Sequence, residues 1–118
     1  MKTIFVVDDS DTNLAMAEDA LEDDFNVITV PSALKMFSLF EKITPDLILL
    51  DIEMPEMNGF QALEKLKADK SYANIPVFFL TGTINASVES KSSELGAIGI
   101  ITKPFTKTSL IEQINSRI

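Results

Sequence analysis

Four consecutive aliphatic residues, 47–50, lie between prolines at positions 45 and 55 and lead directly into an acid, Asp51. A continuous apolar run this short, bounded by helix breakers, is typical of a strand that is buried on both faces. Such strands occur in parallel sheets, where ligands bind at the carboxyl ends of the strands. We therefore expect Asp51 at the binding edge of a buried sheet.

Four further short apolar segments alternate with stretches of helical periodicity. The predicted strands are 3–7, 25–30, 77–80 and 99–102, and the segment 25–30 alternates in polarity as an edge strand does. The predicted helices begin at Asp11 as N-cap, after Pro31 and Ser32, at Gly59, near Asn85 and at Lys107. Five strands alternating with five helices predict a parallel sheet with helices on both faces.

Several helix boundaries follow from breakers and periodicity. The second helix should carry Met36, Phe40 and Ile43 and end at Pro45, and the last should run over 107–117. The fourth, over 85–95, has four serines and only Val88 and Leu95 as sizeable apolar anchors. Since neither helix propensity nor burial favours it, we expect it to be the least stable element.

Composition limits the class of protein. A chain of 118 residues with 46% hydrophobic content fits one domain, 1–118, and has no cysteine for disulfides or thiolate metal sites. No secretory signal opens it and no apolar run approaches a membrane span, so a cytoplasmic location is the default expectation. The net charge of -8 argues against nucleic acids and anionic membranes as direct partners.

A polar residue follows or ends every strand except the edge strand. They are Asp8 and Asp9 after the first, Asp51 at the end of the third, Thr81 after the fourth and Lys103 after the fifth. If the strand order is 2-1-3-4-5, as in flavodoxin-like sheets, these side chains converge in one crevice. Carboxylates so close together would have raised pKa values or would bind a cation, and oxygen ligands favour Mg²⁺. Asp51 would then be a carboxylate nucleophile, with Lys103 and Thr81 contacting a phosphoryl group.

Each of these residues also has an ordinary structural explanation. An aspartate after a strand is commonly a helix N-cap, a lysine before proline is commonly a solvated loop residue, and a threonine often ends a strand. The functional interpretation depends on their occurring together.

In order and spacing, the set resembles the receiver domains of two-component response regulators. The matching residues, which span 5–105, are Asp8 and Asp9, Asp51 with Met54, Pro55 and Gly59, Thr81, and Lys103 with Pro104 and Phe105. The resemblance implies a doubly wound (βα)5 fold, and it implies that Asp51 takes a phosphoryl group from a histidine kinase or phosphotransfer protein. It also implies Mg²⁺ held by Asp9, Asp51 and the backbone carbonyl of Glu53, with Asp8 acting through water.

The same resemblance implies phosphoryl contacts from Thr81 and Lys103, and a change in the face formed by the fourth helix, fifth strand and fifth helix, which would signal to an output domain or partner protein. It further places Glu53 and Thr83 at variable positions that tune the lifetime of the phosphoryl group. The implied class is a signalling module rather than a turnover enzyme.

The chain departs from the family pattern at three places. Ile100 replaces the usual tyrosine or phenylalanine, which puts coupling through that side chain in doubt, and Gly82 replaces alanine after Thr81. In the loop before the last strand, Ile98 and Ile100 replace the usual acid and aromatic residue. Ile98 either seeds an exposed apolar patch or fills the core.

Two other functions compete. One is a degenerate receiver that binds partners without phosphorylation, which Ile100 favours and the intact acidic site disfavours. The other is a phosphatase of the haloacid dehalogenase kind, which also uses an aspartyl nucleophile, Mg²⁺ and a lysine. That family needs an aspartate two residues after the nucleophile, where this chain has Glu53.

Overall fold

The computed structural model describes residues 1–118 and contains five strands that alternate with five helices. The strands are β1 (Thr3–Val7), β2 (Asn26–Val30), β3 (Leu47–Asp51), β4 (Val77–Thr81) and β5 (Gly99–Thr102). The helices are α1 (Asp11–Leu21), α2 (Ala33–Leu39), α3 (Gly59–Ala68), α4 (Ala86–Leu95) and α5 (Lys107–Asn115). None of the helices combines the length and the apolar character that a bilayer span requires.

All strand pairs are parallel, and the sheet order is β2-β1-β3-β4-β5. The flavodoxin-like doubly wound fold is therefore confirmed, with β2 as an edge strand. The order reverses between β1 and β3, which opens a crevice at the carboxyl ends of these two strands.

The core consists of one layer on each side of the sheet, because successive residues of a strand point to opposite faces. On β3, Ile48 and Leu50 join the layer that packs against α2 and α3, whereas Leu47 and Leu49 join the layer under α1 and α5. Every residue of β3 and β4 is buried. The sheet centre is therefore fixed from both sides, which holds the strand ends in place.

Each helix begins at a serine, threonine or asparagine whose side-chain oxygen accepts a backbone N–H of the first turn. These N-caps are Ser10, Ser32, Asn58, Asn85 and Thr106. The prediction of Asp11 as the first N-cap was wrong by one residue, because the Ser10 hydroxyl accepts the N–H of Asn13 at 3.3 Å and Asp11 is already helical. Asp8 and Asp9 thus lie in the turn between β1 and this cap.

Two helices end earlier than predicted. The second ends at Leu39, where the N–H groups of Lys42 and Ile43 both turn back to the Leu39 carbonyl, and Ile43 is 38% exposed. Pro45 is therefore not what ends this helix. The last helix stops at Asn115 rather than at Arg117.

Candidate functional site

The carboxyl ends of β1, β3, β4 and β5 bring the predicted site residues to one edge of the sheet. Asp51 is the last residue of β3 and Thr81 the last of β4, while Asp8 directly follows β1 and Lys103 follows β5. Asp8, Asp51 and Thr81 are buried, whereas Asp9 is exposed. The crevice therefore has a buried floor and one carboxylate at its solvent side.

The Lys103 ammonium group connects the two buried acids. Its Nζ lies 2.9 Å from Asp51 Oδ1 and 3.3 Å from Asp8 Oδ2, with 18% of the lysine side chain exposed. The other Asp8 oxygen, Oδ1, accepts the backbone N–H of Ser10 at 2.9 Å. Lys103 thus neutralises part of the negative charge in the crevice.

Three carboxylates lie close enough to share one cation. Oxygens of Asp8, Asp9 and Asp51 all lie within 4.8 Å of one another. No hydrogen bond reaches the backbone carbonyl of Glu53, so this oxygen is free to act as a further ligand. An all-oxygen donor set that includes carboxylates suits a hard divalent cation such as Mg²⁺.

Burial raises the pKa of the Asp51 carboxyl from 3.8 to about 7. The hydrogen bond from Lys103 opposes this rise, while the negative charges of Asp8 and Glu53 add to it. The pKa of Lys103 is itself raised, because its bonds to Asp51 and Asp8 outweigh its own desolvation. A neighbouring positive charge therefore favours the ionised form of Asp51 against the effect of burial.

Gly59 explains how the loop after Asp51 can turn so closely beneath it. A Cβ at this position would lie 2.5 Å from the Asp51 carbonyl oxygen and 2.9 Å from the Cα of Ile52. Only glycine permits this contact of backbone with backbone. The start of α3 is thereby packed directly against the end of β3, which fixes the position of Asp51.

The hydroxyl of Thr81 makes a contact that sequence analysis did not predict. Its Oγ1 lies 2.8 Å from Glu53 Oε1, and it accepts the Thr83 N–H at 3.1 Å. None of its hydrogen bonds involves Asp51 or Lys103. No sequence pattern marks this pair, since it depends on the distance between the β3–α3 and β4–α4 loops.

The three departures from the family pattern lie around β5 and the β4–α4 loop. Ile100 is half-buried against the α3 side of the core, and Ile98 is half-buried against the α5 side. Both also line a groove of about 390 Å³ beside α4 and β5, together with Ile84 and Ser92. Ile98 therefore contributes to the core and to a surface groove at once. A Cβ at Gly82 would meet nothing closer than the Lys103 carbonyl oxygen at 4.0 Å.

Comparison with known proteins gives a consistent family assignment. The model of the response regulator receiver domain matches residues 4–115. A probable cyclic di-GMP phosphodiesterase of Vibrio cholerae is 33% identical over 116 residues, which are 98% of this chain and 26% of that protein. The polar-differentiation response regulator DivK of Brucella ovis is 31% identical over 116 residues, which are 98% of this chain and 94% of DivK.

The structure of the chemotaxis protein CheY4 of Vibrio cholerae is similar over the whole fold. It has a TM-score of 0.95 at 25% sequence identity, and the match covers 100% of this chain and 99% of that chain. The chain thus spans about a quarter of the phosphodiesterase and nearly all of DivK and CheY4.

Proposed function

The chain belongs to the response regulator receiver family, and from this premise we propose that it accepts a phosphoryl group on Asp51 from a histidine kinase or phosphotransfer protein. Residues 1–118 would act as one receiver domain. The observation that carries the proposal is the position of Lys103, 2.9 Å from Asp51 and 3.3 Å from Asp8 at the edge where the strands end.

Asp51 is the proposed nucleophile. One of its carboxylate oxygens forms a bond to phosphorus while the bond between phosphorus and the donor's histidine nitrogen breaks, and the donor imidazole leaves. The carboxyl must be ionised to react, and its burial, which raises the pKa, opposes this ionisation. Lys103 favours the ionised form and would contact the phosphoryl oxygens after transfer.

Mg²⁺ would be held by Asp8, Asp9, Asp51 and the backbone carbonyl of Glu53, with Asp8 acting through water. When bound, the ion supplies positive charge that offsets the negative charge of the phosphoryl oxygens. Asp9 is the exposed member of the set, so it faces the side from which ion and donor approach. The proximity of the three carboxylates supports this assignment.

Thr81 would donate its hydroxyl proton to a phosphoryl oxygen after transfer. This change is proposed to alter the face of α4, β5 and α5, and so to signal to an output domain or a partner protein. The groove lined by Ile84, Ser92, Ile98 and Ile100 lies on this face. The domain is proposed to be a signalling module, with phosphotransfer and dephosphorylation as its only reactions.

Incubation with Mg²⁺ and acetyl phosphate, followed by intact mass spectrometry, tests the assignment. The wild-type chain should gain the mass of one phosphoryl group, and Asp51→Asn should gain none. The control Asp24→Asn removes an exposed carboxylate that makes no side-chain hydrogen bond, and it should gain the same mass as wild type. Absence of a mass gain in wild type would favour a degenerate receiver, and repeated turnover of a phosphate ester would favour a phosphatase.

A further inference from the structure

The Thr81 hydroxyl has one proton and two possible acceptors. Glu53 Oε1 lies 2.8 Å from Oγ1, and the Thr83 carbonyl oxygen lies 3.1 Å from it. A hydroxyl donates only one hydrogen bond, and a carboxylate is the stronger acceptor. The shorter and charge-assisted bond to Glu53 therefore takes the proton.

One of the two acceptor sites of this hydroxyl is also used. The Thr83 N–H donates to Oγ1 at 3.1 Å, and Thr81 itself is fully buried. Water therefore does not compete for the hydroxyl, while Glu53 holds it from an exposed loop. The hydroxyl is fixed by a contact between the β3–α3 and β4–α4 loops, with no bond to Asp51.

We propose that Glu53 is a positioning residue whose carboxylate holds Thr81 in the orientation of the unphosphorylated state. This inference rests on the proposed phosphorylation of Asp51, because Thr81 must donate to the phosphoryl group for the contact to matter. Its proton cannot reach a phosphoryl oxygen while it is donated to Glu53. The hydrogen bond to Glu53 is therefore exchanged for a hydrogen bond to the phosphoryl group. The strength of the Glu53 bond opposes this switch.

In the switch, Thr81 exchanges one hydrogen bond for another, so the number of hydrogen bonds that it makes does not change. Thr81 gives up one anionic acceptor and gains another, and the proton stays on the hydroxyl throughout. Loss of the Glu53 acceptor leaves the phosphoryl bond intact and removes its stronger competitor, so that only the neutral Thr83 carbonyl at 3.1 Å remains. A net hydrogen bond of typical strength corresponds to about a fivefold change in affinity for a phosphoryl analogue.

Glu53 also carries a negative charge near an anionic ligand, and this effect must be separated from the contact with Thr81. Glu53→Ala removes both the charge and the acceptor. Glu53→Gln keeps the shape and a weaker acceptor but removes the charge. Thr81→Val removes the hydroxyl and keeps the branched shape, so any effect of Glu53 that persists beside valine is due to charge alone.

The first measurement needs no phosphoryl analogue. Three-bond NMR couplings to the Thr81 methyl carbon report its χ1 rotamer in the unmodified protein. We expect one rotamer in wild type, mixed rotamers in Glu53→Ala, and an intermediate result in Glu53→Gln. An unchanged single rotamer in Glu53→Ala would assign the orientation to the Thr83 backbone and would overturn the proposal.

The second measurement is the affinity for beryllofluoride in the presence of Mg²⁺, determined by calorimetry for a double-mutant cycle. Glu53→Ala should tighten binding about fivefold more in the Thr81 background than in the Thr81→Val background. Equal tightening in both backgrounds would show a charge effect only and would overturn the proposal. If wild type binds no beryllofluoride, the proposed phosphorylation fails, whereas the rotamer measurement still decides the role of Glu53.

Discussion

The ionisation of Asp51 should make the free energy of unfolding depend on pH. Its pKa rises from an ordinary 3.8 to about 7 in the folded chain, chiefly through burial. The folded state then binds a proton more tightly than the unfolded state does. Its contribution to stability is complete below the unfolded pKa and is lost as the pH rises through the folded pKa.

The size of the loss follows from the two pKa values. A shift of one pKa unit corresponds to about 1.36 kcal/mol. The free energy of unfolding stops changing with pH once the carboxyl is ionised in both the folded and the unfolded state. Integrated from about pH 5 to about pH 8, the free energy of unfolding should fall by about 2.5 kcal/mol. Lys103 adds no slope in this range, because its pKa is raised above 10.5 and it stays protonated in both states.

Urea unfolding followed by far-UV circular dichroism, without divalent cations, measures this change, since the chain has no tryptophan for fluorescence. In Asp51→Asn, most of the decrease in the free energy of unfolding between about pH 5 and about pH 8 should be absent. The slopes are compared rather than the absolute stabilities, because the asparagine also leaves Lys103 without its closest ion pair.

Asp24→Asn is the matched control and should keep the slope of wild type, because that side chain is exposed and makes no hydrogen bond or ion pair. Equal slopes in wild type and Asp51→Asn would show that Asp51 ionises at an ordinary pKa. That result would refute the reasoning from burial.

Two further pairs of substitutions, each with a matched control, test local packing by urea unfolding. Gly59→Ala should lower the free energy of unfolding by about 1–3 kcal/mol, because its Cβ would lie 2.5 Å from a carbonyl oxygen. Gly82→Ala, with open space, should stay within about 0.5 kcal/mol of wild type, and equal losses would contradict the argument. Ser92→Ala should raise the free energy of unfolding more than Ser90→Ala does, since Ser92 Oγ is buried without a hydrogen-bond partner and Ser90 is exposed. Equal gains would mean that only the higher helix propensity of alanine contributes.

Much of the fold could be predicted from local sequence patterns. The buried strands appear in the sequence as short apolar runs. The polar residues that follow these runs predicted which side chains would meet at the sheet edge. Asp51 and Lys103 are 52 positions apart in the chain, yet the strand order predicts that they share one crevice, where they lie 2.9 Å apart. Parallel topology brings residues that are distant in the chain to the same sheet edge, so these residues could be grouped from the sequence.

The errors came from competition between neighbouring residues that are each suited to a position. Ser10 and Asp11 are both good N-caps, and only the backbone geometry assigns the role to Ser10. Ile43 continues the helical periodicity of α2, but the chain has already turned away after Phe40. The bond between Glu53 and Thr81 was beyond prediction because it joins two loops whose shapes no local pattern determines.

The weak anchoring of α4 has an energetic consequence for the whole domain. Its only buried residue is Ser92, whereas α3 buries Ala62, Leu63 and Leu66. Since the cost of moving a helix scales with the apolar surface that it uncovers, α4 sits in a shallow free-energy well. Its apolar contacts with the core come from the half-buried Val88 and Leu95, so a shift of α4 uncovers less buried apolar surface than a shift of α3. Amide hydrogens of α4 should accordingly exchange with solvent well before those of α3.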